Sequence, residues 1–153
     1  MAEEQSSASA HRAPVAVQEH RSKAVAVIGV IVMVIGLVFA VAGVTTYIVV
    51  GQTLADEKIT VSDDASHFAG DEVNDPFTAY VQANTIAKHA EKIANGKTYA
   101  ELAQDDPRRD TVMTASFLRA SLFTSVVAFG VAALVAVLGL VLVALGWAMR
   151  RLA

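Results

Sequence analysis

The stretch that decides the fold is residues 24–50, AVAVIGVIVMVIGLVFAVAGVTTYIVV, which contains no charged side chain. A second uncharged stretch, SLFTSVVAFGVAALVAVLGLVLVALGWAM, covers residues 121–149. A helix needs about 20 apolar residues to cross the hydrocarbon layer of a bilayer, and both stretches exceed that length. The sequence therefore predicts two transmembrane helices, over residues 23–51 and 119–149.

The first stretch also has features of a cleaved signal peptide. Arg21 and Lys23 precede it, and Ala40-Val41-Ala42 resembles a cleavage site. The apolar run continues through Val50, however, well past the point where a cleavable signal normally ends. We therefore favour an uncleaved membrane anchor.

Charge on the flanks of the two stretches indicates their orientation. Positively charged flanks tend to remain in the cytoplasm, and here they are Arg12, Arg21, Lys23, Arg150 and Arg151. Residues 51–120 carry seven basic and twelve acidic side chains, hence a net charge of −5. We expect a plasma-membrane protein with both termini cytoplasmic and residues 52–118 extracytoplasmic. Arg119, at the outer end of the second helix, argues mildly the other way.

The remaining segments are short. Residues 1–22 are polar and rich in Ser and Ala, which favours a disordered cytoplasmic tail, and residues 150–153 form the other cytoplasmic end. Outside, alternation at residues 58–62 suggests a short extended piece. Asp75-Pro76 predicts the start of a helix over about 76–95. We expect a short helix at about 99–104 and the start of a long helix at about 107.

Small residues recur every seventh position in both apolar stretches. Such residues let membrane helices approach closely, and a heptad spacing suits a shallow left-handed crossing. We therefore predict an all-α protein built on an antiparallel two-helix hairpin, whose small-residue stripes face each other or a partner, either another protein or a second copy. The predicted helix-packing residues are Gly29, Gly36, Gly43, Ser125, Ala132, Gly139 and Gly146.

The acidic stretch SDDASHFAGDE, residues 62–72, is the one candidate for a metal site. It offers Asp63, Asp64, His67 and Asp71 as weak candidate ligands. The EF-hand pattern is absent, and an iron site of two histidines and a carboxylate would need the fold to bring His67 to His89. The chain contains no cysteine, which excludes thiolate sites. We interpret the stretch as a hydrated loop and predict no catalytic residues, no cofactor and no metal.

Four segments resemble a known family: LADEKITVSDDASHFAG, DPFTAYVQANTIAKHA, GKTYAEL and TASFLRASLFTSVVAFGVAALV. They are similar to a family of small actinobacterial membrane proteins, and the resemblance covers roughly residues 24–148. Members are often labelled aromatic ring-opening dioxygenases, which would imply iron and a catechol-like substrate. The residues supply no complete iron-ligand set, so the resemblance implies membrane location and topology and adds no catalytic residues.

These observations predict an integral membrane structural or accessory protein rather than an enzyme. Neither span contains an ionisable group in its core, whereas transporters and proton relays normally require one. We expect the bilayer and a cell-envelope protein complex as partners, with no nucleic acid and no small-molecule substrate. The alternatives are an extracytoplasmic metal or ligand sensor and, third, the iron-dependent dioxygenase that the family label implies.

Overall fold

The structure, a computed structural model, describes residues 15–153, with side chains from residue 23 onward. Within that range it contains three α-helices and no named strand. Helix α1 spans Val15–Asp56, α2 spans Pro76–Ile93 and α3 spans Arg109–Leu152. A single turn of 3₁₀-helix, Tyr99–Glu101, and an isolated antiparallel bridge between Thr60 and Glu72 complete the regular structure. The predicted mainly helical class is confirmed.

Helix α1 extends beyond the predicted transmembrane span of residues 23–51 at both ends. It begins at Val15, so residues 15–22 of the predicted disordered tail are helical, and residues 1–14 of that tail lie outside the described residues. The helix also continues five residues past 51, to Asp56. No glycine or proline occurs between Val15 and Lys23 to stop the helix.

Two of the helices are long and apolar enough to cross a membrane, over Lys23–Asp56 and Arg109–Leu152. In the most apolar part of each of these helices, only 11% and 17%, respectively, is buried within the protein. Side chains such as Leu37, Val38 and Leu140 remain about 60% exposed. A core helix of a water-soluble protein would instead bury most of its apolar surface, so the exposure of these helices is compatible with two membrane spans.

The chain divides into two compact units. The first contains α1 up to Phe39 and α3 from Leu138 onward, and the second is Ala40–Val137. In the second unit, buried apolar side chains of α1, α2, α3 and the loop between α1 and α2 form one core. Its buried members are Leu54, Val61, Val73, Ala79, Ala83, Leu122 and Phe129. The predicted outer segment therefore packs on the parts of the two long helices that belong to this unit.

A smaller core lies beside the 3₁₀ turn, where Ala94, Leu102 and Val112 are buried against Tyr99. It joins the end of α2 to the first turns of α3. Gly96, which follows α2, has φ of +81° and donates its N–H to the carbonyl oxygen of Glu91 at 2.8 Å. That left-handed conformation is readily adopted by glycine and closes the last turn of α2.

Candidate functional site

Predicted small residues of the two long helices lie against each other in the first unit. A methyl group placed on Gly29 would lie 2.8 Å from the carbonyl oxygen of Gly146. One placed on Gly36 would lie 2.7 Å from the carbonyl oxygen of Gly139 and 2.7 Å from the backbone nitrogen of Val143. These distances are shorter than van der Waals contact, so any side chain larger than hydrogen would force the two backbones apart.

The same packing occurs in the second unit. A methyl group on Gly43 would meet the backbone nitrogen of Ala136 and would lie 2.6 Å from the carbonyl oxygen of Ala132. In both units, therefore, small residues of α1 contact small residues of α3. These contacts between small residues lie within one chain.

Ser125 behaves differently from the other predicted packing residues. It is half-buried, and its hydroxyl donates to the carbonyl oxygen of Ser121 in its own helix at 3.3 Å. Near this level the contact is made by Phe129, whose ring meets Tyr47 edge-on at 4.8 Å between centroids. At this level the buried ring of Phe129, rather than a small residue of α3, makes the contact. The heptad spacing of Leu122 and Phe129 was the signal that could have indicated this.

Gly51 is a packing residue that the heptad pattern missed. It lies eight residues after Gly43, and a methyl group there would lie 3.0 Å from the carbonyl oxygen of Asn74. Because Asn74 immediately precedes the cap of α2, this contact brings the start of α2 against α1. Such a contact joins a helix to a loop, and helical periodicity does not reveal it.

The acidic stretch is folded by contacts with α2. The side-chain oxygen of Gln82 accepts hydrogen bonds from the backbone N–H of Ser62 at 2.9 Å and from its hydroxyl at 3.3 Å. Gln82 is itself buried. Val61 also donates its N–H to the carbonyl oxygen of Asp71 at 2.9 Å. The loop therefore has a defined conformation rather than being merely hydrated chain.

Of the candidate metal ligands, only Asp64 lies against another ligating side chain in the hydrogen bonds and ion pairs of the described residues. Its Oδ2 is 2.7 Å from Nε2 of His89, and the hydrogen bond from His89 lowers the pKa of Asp64 below its ordinary value. Asp63, His67 and Asp71 are exposed, and Nδ1 of His67 instead lies 3.2 Å from the hydroxyl of Ser66. Among the described residues no three His, Cys, Asp or Glu side chains are grouped to hold a metal ion. The sensor and dioxygenase alternatives remain predictions.

A second ion pair holds the turn before α3. Arg108 makes a two-fold contact with Asp106, from Nε to Oδ1 at 2.9 Å and from a terminal nitrogen to Oδ2 at 2.6 Å. These bonds, with the backbone N–H of Arg108, lower the pKa of Asp106 to about 2. The aspartate thus stays ionised over any physiological pH.

No protein-family model, curated protein or solved structure matches the chain. The resemblance to the actinobacterial family therefore stays a prediction. The function of the protein must accordingly be inferred from the geometry and chemistry of this chain alone.

Proposed function

We propose that the protein is a two-span plasma-membrane protein that serves as a structural or accessory component of a cell-envelope complex. In this proposal α1 and α3 cross the bilayer as an antiparallel hairpin, and the second unit carries a small helical cap outside. The observation that carries it is the apolar surface of the two long helices. Burying a large apolar side chain contributes roughly 1.5–3 kcal/mol, so moving the exposed apolar side chains of these helices from water into a bilayer would be strongly favourable.

The ends of the helices support a membrane location as well. Arg151 lies over the ring of Trp147, 4.7 Å from its centroid, immediately after the uncharged stretch of α3. Tryptophan and basic residues are typical of the boundary between bilayer and water. With Lys23 at the start of the other apolar stretch, this composition favours both termini in the cytoplasm and the residues between the spans outside.

Exposed surfaces outside the small-residue contacts favour the accessory role. Their contacts lie within the chain, so a partner would use other surfaces. Phe77 is 71% exposed and Phe117 is 68% exposed, both in the second unit. Exposed aromatic side chains are enriched at protein interfaces. The uncharged spans, which lack the ionisable groups of transport pathways, also favour a role in assembly over transport.

Purification tests the proposal. The full chain, tagged and expressed at its native level, is extracted in mild detergent after chemical crosslinking of intact cells and analysed by mass spectrometry. We expect reproducible crosslinks from Lys88 or Lys92 to another envelope protein. The matched control is a chain with Phe77→Ser and Phe117→Ser, which should lose that neighbour while remaining in the membrane. A monomer with no crosslinked neighbour would contradict the accessory role.

A further inference from the structure

The end of α2, the turn that follows it and the first turns of α3 enclose a cleft of about 360 Å³ in the second unit. Sites for small ligands typically start at about 300 Å³. Ala87 and Ala90 of α2 and Ala115 of α3 line it. Because these side chains are small, they leave the space between the two helices open.

One wall of the cleft is held rigidly. Tyr99 lines it, and the guanidinium of Arg109 lies 4.1 Å from the centre of the Tyr99 ring. Arg109 also donates to the carbonyl oxygen of Leu102 at 2.6 Å. Thr98 donates its backbone N–H and its hydroxyl to Glu101, at 2.7 Å and 2.8 Å. The turn that forms the wall is therefore fixed without any ligand.

Charged side chains of both signs line this cleft: Glu91, Lys97 and Arg119. Among the side chains that the structure describes, none of the three forms an ion pair within 4.0 Å. The guanidinium of Arg119 lies 5.3 Å from the centre of the Phe123 ring, and within the described part of the chain its N–H groups donate no hydrogen bond. Lys97 interacts electrostatically with the carboxylates of Glu101 and Asp106, but only beyond ion-pair distance. The cleft therefore presents two cations and one carboxylate to a ligand that carries both a negative and a positive group.

The hydroxyls in the cleft favour a ligand that donates hydrogen bonds. Ser116 donates its only hydroxyl hydrogen to the carbonyl oxygen of Val112 at 2.9 Å, and Thr98 donates its own to Glu101. Both oxygens can therefore only accept hydrogen bonds from a ligand. An ammonium group, which carries three donors and no acceptor, meets that requirement.

We infer that this cleft binds a phosphodiester that carries a primary amine, with Lys97 and Arg119 on the phosphate and Glu91 on the ammonium. Arg119 is the last charged residue before the uncharged stretch 121–149 of α3. If α3 spans the membrane as proposed, the cleft opens near the headgroup layer, and the ligand is the headgroup of an aminophospholipid. The lipid source rests on the proposed function, whereas the charge pattern of the cleft does not.

Native mass spectrometry of the full chain in neutral detergent tests the inference. The probes are phosphatidylethanolamine, phosphatidylglycerol, which lacks the amine, and soluble glycerophosphoethanolamine. We expect the amine-bearing lipid to bind most tightly. Arg119→Gln and Lys97→Gln should each weaken binding of both lipids by roughly tenfold or more, the loss of one charged hydrogen bond. Glu91→Gln should abolish the preference for the amine.

The matched control is Lys88→Gln, because Lys88 is a cation of α2 that does not line the cleft. It should bind as the parent chain does. Helicity and elution volume establish whether each variant is folded. If Arg119→Gln does not fold, Lys97→Gln, which lies on the turn, tests the cleft in its place. Equal binding by parent and cleft variants, or no binding of any probe, would overturn the inference.

The experiment distinguishes failure of the proposed ligand binding in the cleft from failure of the proposed membrane location. Binding of glycerophosphoethanolamine without the lipid would retain the charge recognition and overturn the lipid source. Loss of all binding, in a chain that still fractionates with membranes, would refute the cleft alone.

Discussion

Replacing Gly36 by alanine probes the packing of the two long helices. The added methyl group would lie 2.7 Å from the carbonyl oxygen of Gly139, 2.7 Å from the nitrogen of Val143 and 2.8 Å from Cβ of Leu142. Ordinary contact begins at 3.4 Å, so the helices must separate by about 0.7 Å. Two of the three obstructing atoms belong to the backbone, which cannot rotate aside as a side chain can.

The expected cost is the balance of two opposing effects. Overpacking of this kind typically destabilises by about 1–3 kcal/mol, while alanine gains up to about 1 kcal/mol over glycine in helix propensity. Gly130 provides the matched control, since it also lies in a long helix but a methyl group there meets nothing within 4 Å. Gly130→Ala carries the propensity gain without the clash. We expect Gly36→Ala to be less stable than Gly130→Ala by about 1–3 kcal/mol.

The assay is reversible unfolding in neutral detergent with increasing sodium dodecyl sulfate. Trp147 is the sole tryptophan and follows Gly146, which packs on α1, so its fluorescence reports the helix contact directly. Far-UV circular dichroism separates loss of packing from loss of helix. Equal free energies of unfolding for the two variants would refute close helix contact at Gly36.

Three further changes probe the second unit. Asp75→Ala removes the carboxylate that accepts a hydrogen bond from the backbone N–H of Phe77 at 2.7 Å. It should destabilise α2 by about 1 kcal/mol, which would appear as faster hydrogen exchange in the first turn of α2. Unchanged exchange would contradict the cap. Gln82→Leu leaves the backbone N–H of Ser62 without its acceptor and should lower the free energy of unfolding by about 1–3 kcal/mol, whereas an equally stable variant would refute that bond. The pKa of Asp106 is depressed from 3.8 to about 2, so the stabilisation by its pair with Arg108 is present above about pH 4 and is lost as pH falls towards 2. In the parent chain the NMR resonance of the Arg108 Nε–H should shift as pH falls from about 4 to 2, and in Asp106→Asn it should not. A midpoint of that shift near pH 4 would contradict the ion pair.

Local signals in the sequence predicted local structure well. Asp75 followed by Pro76 indicated a helix start, and the structure has Asp75 accepting from the backbone of Phe77 and Thr78. Thr98 and Glu101 have the three-residue spacing of a capping box, and Glu101 accepts from both the backbone N–H and the hydroxyl of Thr98. These signals succeed because the partners lie within three residues of each other, so the bonds form whatever the rest of the chain does.

Contacts between residues far apart along the chain could not be predicted from the sequence. The bond from Ser62 to Gln82 joins residues 20 apart, and the pair of Asp64 with His89 joins residues 25 apart. Both depend on how the loop returns to α2, which no periodic pattern encodes. Helix α1 also continues past the predicted membrane span to Asp56, and the burial of Leu54 in the core of the second unit favours that extension.

Cysteine labelling tests the membrane topology most directly, because the chain has no cysteine of its own. Ser66→Cys places one thiol on the exposed loop between α1 and α2, and Leu152→Cys places one at the end of α3. A membrane-impermeant maleimide is applied to intact cells and then to permeabilised cells. The proposal predicts that the Ser66→Cys variant reacts in intact cells and that the Leu152→Cys variant reacts only after permeabilisation. Protection of the Ser66→Cys thiol in intact cells, or release of either variant from membranes by a salt wash, would contradict it.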